Sequence, residues 1–233
     1  MIIRCIWEHN GNDTLLYAMD HIGAYTRGEN LAAAKAKMPA EIASYLKWLG
    51  KPSAEHFEVV VAQEKISDLQ IRDADSDVLF DSEKVPLRYE EYESLKALAL
   101  RSAGDFQKLY DCIPDKDAPL APVRKTFYGQ VPSTARQMYI HTMNVNAYYY
   151  GEIGVDADNE GDILTCRQRG FESLAVKQDF LENAAIEGSY GEYWTLRKML
   201  RRFVWHDRIH AKAMYRRAVQ HFGTELIANP FYF

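Results

Sequence analysis

The 233-residue sequence contains few cysteines and no long apolar run. Its three cysteines are odd in number, widely spaced and free of any CxxC pair, which argues against a disulfide framework and favours a reducing compartment. No apolar stretch approaches the roughly 18 residues of a membrane span. The first residues lack the basic and apolar segments of a signal peptide. We therefore expect a cytoplasmic protein with no membrane association.

Neither sign of charge dominates the sequence. The 28 basic and 33 acidic residues give a formal net charge of -5, so bulk charge does not indicate a nucleic-acid partner. The chain also lacks a glycine-rich phosphate loop, a Gly-x-Ser-x-Gly motif and a paired-carboxylate motif. Hydrophobic residues make up 47% and charged residues 26%, which is typical of a globular protein with a buried core.

Short apolar segments and turns organise the first 84 residues. The predicted elements are three strands and one helix, over residues 1–7, 14–19, 57–62 and 31–49 respectively. Asn30 stands directly before the helix and is a suitable N-cap. We expect a small α/β domain over residues 1–84, with the domain boundary between Asp81 and Leu87.

Two glycines, Gly23 and Gly28, precede the predicted helix. They lead into the sequence Glu-Asn-Leu-Ala-Ala-Ala at 29–34. The order strand, strand, helix, strand with this approach resembles the HicB-like antitoxin fold, in which a glycine-bearing turn leads to a GxTxxEA-type helix start. Asn30 stands where that pattern has Thr, and two alanines replace its acidic-Ala pair. The resemblance implies a domain that binds a protein partner. The alternative is a small α/β module of no specific kinship.

From residue 85 onwards, apolar residues recur at helical spacing. The predicted helices span residues 89–112, 132–153, 164–185 and 193–222. A loop at 114–132, with four prolines, separates the first two. Four amphipathic helices joined by modest loops indicate an antiparallel four-helix bundle over 85–233. The expected fold class is therefore α+β, a small α/β domain followed by a bundle.

Two histidines lie one helical turn apart in the last predicted helix. His206 and His210 share a face on which apolar residues recur, so both are expected to point inward. His141 lies on a similar stripe of the second helix, with Met138 and Val145. Each histidine alone is more often a hydrogen-bonded core residue. Together, three neutral imidazoles suit a divalent metal ion and leave a fourth coordination position open.

A four-helix bundle with one histidine midway along its second helix and an HxxxH pair on its last is similar to the DinB/YfiT-like family of metal-dependent enzymes. The resemblance covers about residues 87–222, including the proline-bearing loop before the second helix. It implies that His141, His206 and His210 ligate a divalent transition metal, with zinc or nickel expected first. No other family residue transfers to this chain.

Family members with assigned activities are thiol-dependent, as in transfer of low-molecular-weight thiols such as bacillithiol or mycothiol, or thiol-assisted isomerisation. The resemblance therefore implies metal-assisted thiol transfer or hydrolysis on a small-molecule substrate, with a metal-bound water or thiolate as the reactive group and no assigned catalytic residue. It also implies a homodimer. The rival interpretation is a non-enzymatic binding or regulatory module in which the bundle is a dimerisation scaffold.

Two further features of the helical region allow weaker predictions. Asn144, one turn beyond His141, is a candidate to contact a metal ligand or the substrate, and a helix-surface amide is the alternative. The last helix also carries many basic residues opposite its apolar stripe: Arg197, Lys198, Arg201, Arg208, Lys212 and Arg216. We expect a solvated face that pairs with acidic neighbours such as Glu91, and no nucleic-acid binding.

Overall fold

The structure, a computed structural model, describes residues 1–233 and divides into two compact units. The first unit comprises Met1–Asp81 together with Phe231–Phe233, and the second comprises Ser82–Pro230. A four-stranded sheet and one α-helix lie in the first unit, and four further α-helices lie in the second, which confirms the α+β class. None of the helices combines the length and the apolar character that crossing a membrane requires.

A mixed sheet forms the first unit. Its strands are β1 (Ile2–His9), β2 (Thr14–Ala18), β3 (Tyr25–Gly28) and β4 (Glu58–Ile66), in the order β3-β2-β1-β4. The first three strands pair antiparallel, and β4 pairs parallel with β1. The sequence predicted β1, β2 and β4 but missed β3, because four residues are too few to show an alternating pattern.

Helix α1 (Leu31–Trp48) begins where the sequence predicted. The Asn30 side chain accepts a hydrogen bond from the Ala33 backbone N–H, which is the expected N-cap. The helix packs on β2 and β3. A Cβ added to Gly28 would lie only 2.9 Å from the backbone nitrogen of Ala34, so the close approach of β3 to α1 requires glycine there.

The last three residues complete the core of the first unit. Phe231 is fully buried, and its ring lies 5.3 Å from the ring of Trp48. The Ser44 hydroxyl donates a hydrogen bond to the carbonyl of Tyr232 at 2.8 Å. The sequence predicts this segment to be part of the domain spanning 85–233, because nothing in its local pattern shows that it returns to the first unit.

Four α-helices form the second unit, which we call the helical unit. They are α2 (Tyr89–Cys112), α3 (Ala135–Gly151), α4 (Ile163–Ala175) and α5 (Leu196–Phe222). Both α2 and α3 pack against α4 and against α5. Two short hairpins interrupt the connections: β5 (Lys125–Thr126) with β6 (Gly129–Gln130), and β7 (Ile186–Glu187) with β8 (Tyr193–Trp194). The antiparallel four-helix bundle stays a prediction.

The helix predicted over 164–185 is wrong in its second half, because α4 ends at Ala175. Asp179 and Asn183 adopt positive φ angles of 54° and 59°, which an α-helix does not contain. The Asn183 side chain donates hydrogen bonds to the backbone carbonyls of Glu83 and Val85. This tether comes from a segment distant in sequence, and the local apolar period could not reveal it.

We predict that Phe231→Ala destabilises the first unit by about 3–5 kcal/mol, because it removes a fully buried ring that packs on Trp48. Tyr232→Ala is the matched control, since the Tyr232 side chain is 46% exposed and its loss should cost less than about 1 kcal/mol. Urea unfolding followed by tryptophan fluorescence measures both. Equal unfolding midpoints for the two variants would contradict the prediction.

Candidate metal centre

Helix α5 is buried over most of its length. The Thr195 side chain caps it by accepting a hydrogen bond from the Lys198 backbone N–H, so the helix begins at Leu196, later than predicted. Buried side chains occur on several of its faces, because both α2 and α3 pack against it. His206 lies in this buried surface and is 8% exposed.

The basic residues of α5 do not form the solvated face that the sequence suggested. Three of them are buried: Lys198, Arg201 and Arg208. Arg201 pairs with the buried carboxylate of Glu83, which was not predicted. The predicted pairing of Arg197 with Glu91 is present. Helical spacing separates these residues from the apolar stripe, but it cannot show that a neighbouring segment covers them.

His141 lies at the margin of the buried face of α3. The Thr134 side chain caps this helix by accepting a hydrogen bond from the Gln137 backbone N–H. The buried stripe follows helical spacing through Ala135, Met138, Thr142, Asn146 and Tyr149. His141 flanks this stripe and is partly exposed, so its imidazole stands between the core and solvent.

Three histidines converge between α3 and α5. The ring of His141 lies 5.3 Å from that of His206 and 4.6 Å from that of His210, and the last two rings are 4.4 Å apart. The Nε2 atoms of His206 and His210 are separated by 3.2 Å. One possible ligand atom from each histidine lies within 4.8 Å of the others. The structure therefore brings together the three residues that the sequence singled out.

The surroundings favour the neutral form of two of these imidazoles, those of His141 and His206. Burial, and then the proximity of His210 and His141, hold the pKa of His206 well below its usual value. Burial also lowers the pKa of His141. The Nδ1 atom of His206 is buried without a hydrogen-bond partner, so hydrogen bonding within the chain accounts for only one of its two ring nitrogens.

A divalent transition metal fits this donor set. Nitrogens about 2.0–2.1 Å from a tetrahedral ion are about 3.3 Å apart, and the Nε2 atoms of His206 and His210 are 3.2 Å apart. A metal ligand must present a free lone pair, which a neutral imidazole does. The prediction that three histidines could hold a metal ion is confirmed, because one possible ligand atom each of His141, His206 and His210 lies within 4.8 Å of the others.

Aromatic rings line the centre on two sides. Tyr149, which is buried, meets the ring of His206 edge to face at 6.0 Å. Tyr128, in the hairpin between β5 and β6, lies 5.5 Å from the ring of His141. Tyr128 could not be placed at the site from the sequence, because a loop residue carries no periodic signal. Asn144 is exposed, and its predicted contact with a ligand or substrate stays a prediction.

Asp207, the neighbour of His206 in sequence, faces away from the metal centre. It forms a bidentate ion pair with Arg167 of α4, and both side chains are fully buried. Arg167 also donates to the Ala99 carbonyl of α2 at 3.3 Å and lies 4.2 Å from the ring centre of Phe203. Successive helical residues point about 100° apart, so fixing Asp207 also fixes the direction of His206.

Comparisons of the chain with protein-family models, with curated proteins and with solved structures give no significant match.

We predict that Asp207→Ala destabilises the helical unit by about 3–5 kcal/mol, because it leaves the guanidinium of Arg167 buried without its carboxylate. Asp158→Ala is the matched control, because Asp158 pairs with another arginine of α4 from the loop that precedes this helix. It breaks the ion pair of Asp158 with Arg169, whose side chains are 47% and 38% exposed, and should cost at most about 1 kcal/mol. Urea unfolding followed by circular dichroism compares them, and similar midpoints would refute the difference.

Proposed function

We propose that the helical unit binds a divalent transition metal, zinc or nickel, through His141, His206 and His210. The convergence of three imidazoles, two of them with Nε2 atoms 3.2 Å apart, carries this proposal. Imidazole nitrogen is a common ligand for both metals. The low pKa values of His141 and His206 support it further, since neutral rings bind a cation without first losing a proton.

We also propose that the helical unit is an antiparallel four-helix bundle of the DinB/YfiT-like type. The packing of α2 and α3 against both α4 and α5 supports a bundle. The position of His141 midway along α3, and of the HxxxH pair midway along α5, supports the family. The HicB-like kinship of the first unit is proposed on its strand order and on the close approach at Gly28.

The function that this site supports best is metal-dependent catalysis on a small-molecule substrate, by thiol transfer or hydrolysis. Three protein ligands leave a coordination position for an exogenous group, which is the pattern of catalytic sites rather than structural ones. A divalent metal bound there would lower the pKa of a water or of a low-molecular-weight thiol and supply a nucleophile near neutral pH. The chain holds the three rings in place, and Tyr149 closes the buried side behind His206.

We predict about one equivalent of transition metal per chain after purification without a histidine tag or chelator, measured by mass spectrometry. His141→Ala and His206→Ala should lose it, because two imidazoles hold such an ion poorly. His221→Ala is the matched control, since His221 lies on α5 but is exposed and outside the cluster. Circular dichroism verifies that each variant remains folded.

Absence of metal from the wild-type protein, even after incubation with zinc or nickel, would refute the metal centre. The three histidines would then be a core cluster. The rival interpretation, a binding module whose helices form a dimerisation scaffold, would be preferred in that case.

We predict that metal at one hundred times its dissociation constant raises the free energy of unfolding by about 2.7 kcal/mol, because it binds the folded chain and not the unfolded one. Excess chelator should reverse the gain. The His206→Ala variant should show no gain under the same conditions. An equal gain in wild type and variant, measured by urea unfolding, would locate metal binding elsewhere in the chain.

A further inference from the structure

The three histidines of the metal centre differ in their exposure to solvent. His206 is buried at the floor of the cluster, whereas His141 and His210 are partly exposed. A molecule that approaches the open coordination position therefore passes these two rings. Tyr128 of the hairpin between β5 and β6 lies on this side, against His141.

Arg217 lies on the same face of α5 as the two histidines of that helix. At about 100° per residue, its direction differs by about 20° from that of His206 and by about 20° from that of His210. Arg217 stands two turns beyond His210, about 10 Å along the helix axis. Ala213, between them in sequence, has only a methyl side chain, so little stands between the two positions.

The charge of Arg217 is not balanced by a carboxylate. Other arginines of the helical unit are balanced, as in the ion pairs Arg167–Asp207, Arg197–Glu91 and Arg201–Glu83. Burial, and then the positive charges of Arg216 and Arg124, lower the pKa of Arg217. No acidic group is among the causes of this shift. Arg124 directly precedes β5, so the hairpin that carries Tyr128 also contributes positive charge here.

We propose that Arg217 binds the carboxylate of a substrate whose other end binds at the metal. This inference depends on the proposed function and narrows its substrate class. The substrate would be a small thiol, or another molecule with a metal-binding group, that carries a carboxylate roughly two helical turns away. The planar guanidinium donates two parallel hydrogen bonds to a carboxylate. A thiol without a carboxylate cannot accept this pair of hydrogen bonds.

Cobalt(II)-loaded protein tests this without any measurement of turnover. Mercaptohexanoate and mercaptohexanol share a chain length and a thiol and differ in the terminal group. Coordination of sulfur to cobalt produces a charge-transfer absorption, so titration gives a dissociation constant for each probe. We expect the acid to bind at least about tenfold more tightly than the alcohol. In Arg217→Met the two probes should bind equally, with the affinity for the alcohol unchanged.

Arg216→Met is the matched control, because it removes the same charge from the exposed neighbour of Arg217 and should keep most of the preference. Equal affinities of the two probes for the cobalt-loaded wild-type protein would overturn the carboxylate subsite and leave the metal centre standing. A preference that persists in Arg217→Met would overturn it equally. Failure to take up cobalt, measured as metal content of the same samples, would overturn the metal centre and the subsite together.

Discussion

The buried ion pair of Arg167 and Asp207 determines how α5 is oriented in the helical unit. A charge enclosed without its partner costs several kcal/mol, so α5 can be buried only in the rotation that brings Asp207 to Arg167. The contacts of Arg167 with α2 and with Phe203 extend this constraint to three helices. The direction of the His206 side chain differs from that of Asp207 by a fixed angle of about 100°. The ion pair of Asp207 therefore also sets where the imidazole of His206 points.

The histidine cluster differs in kind from this ion pair. The pair brings two opposite charges together, whereas the cluster brings together three side chains that each carry either positive charge or none. A core that served stability alone would have no reason to gather three imidazoles and to lower the pKa of His141 and His206. An ion bound between the facing Nε2 atoms would use their lone pairs, and the aromatic ring of Tyr149 behind His206 would keep water from the floor of the site.

The parts that could be predicted from the sequence depend on short-range geometry. Angular spacing on one helix places His206 and His210 together, and the cap at Asn30 marks the start of α1. The parts that could not be predicted depend on distant contacts. The end of α4 depends on contacts outside the helix, because the Asn183 side chain donates hydrogen bonds to the carbonyls of residues 83 and 85. Lys198 is buried because other segments cover it, which no helical pattern shows.

The first unit is interrupted, because Asp81 and Phe231 belong to it while the whole helical unit lies between them in the chain. During synthesis residues 1–81 emerge early, yet Trp48 lacks the ring of Phe231 until residue 231 has been made. The unit that begins folding first is thus the last to be completed. A nascent chain stopped before that point would lack this ring, so the first unit stays incomplete until the helical unit has been translated.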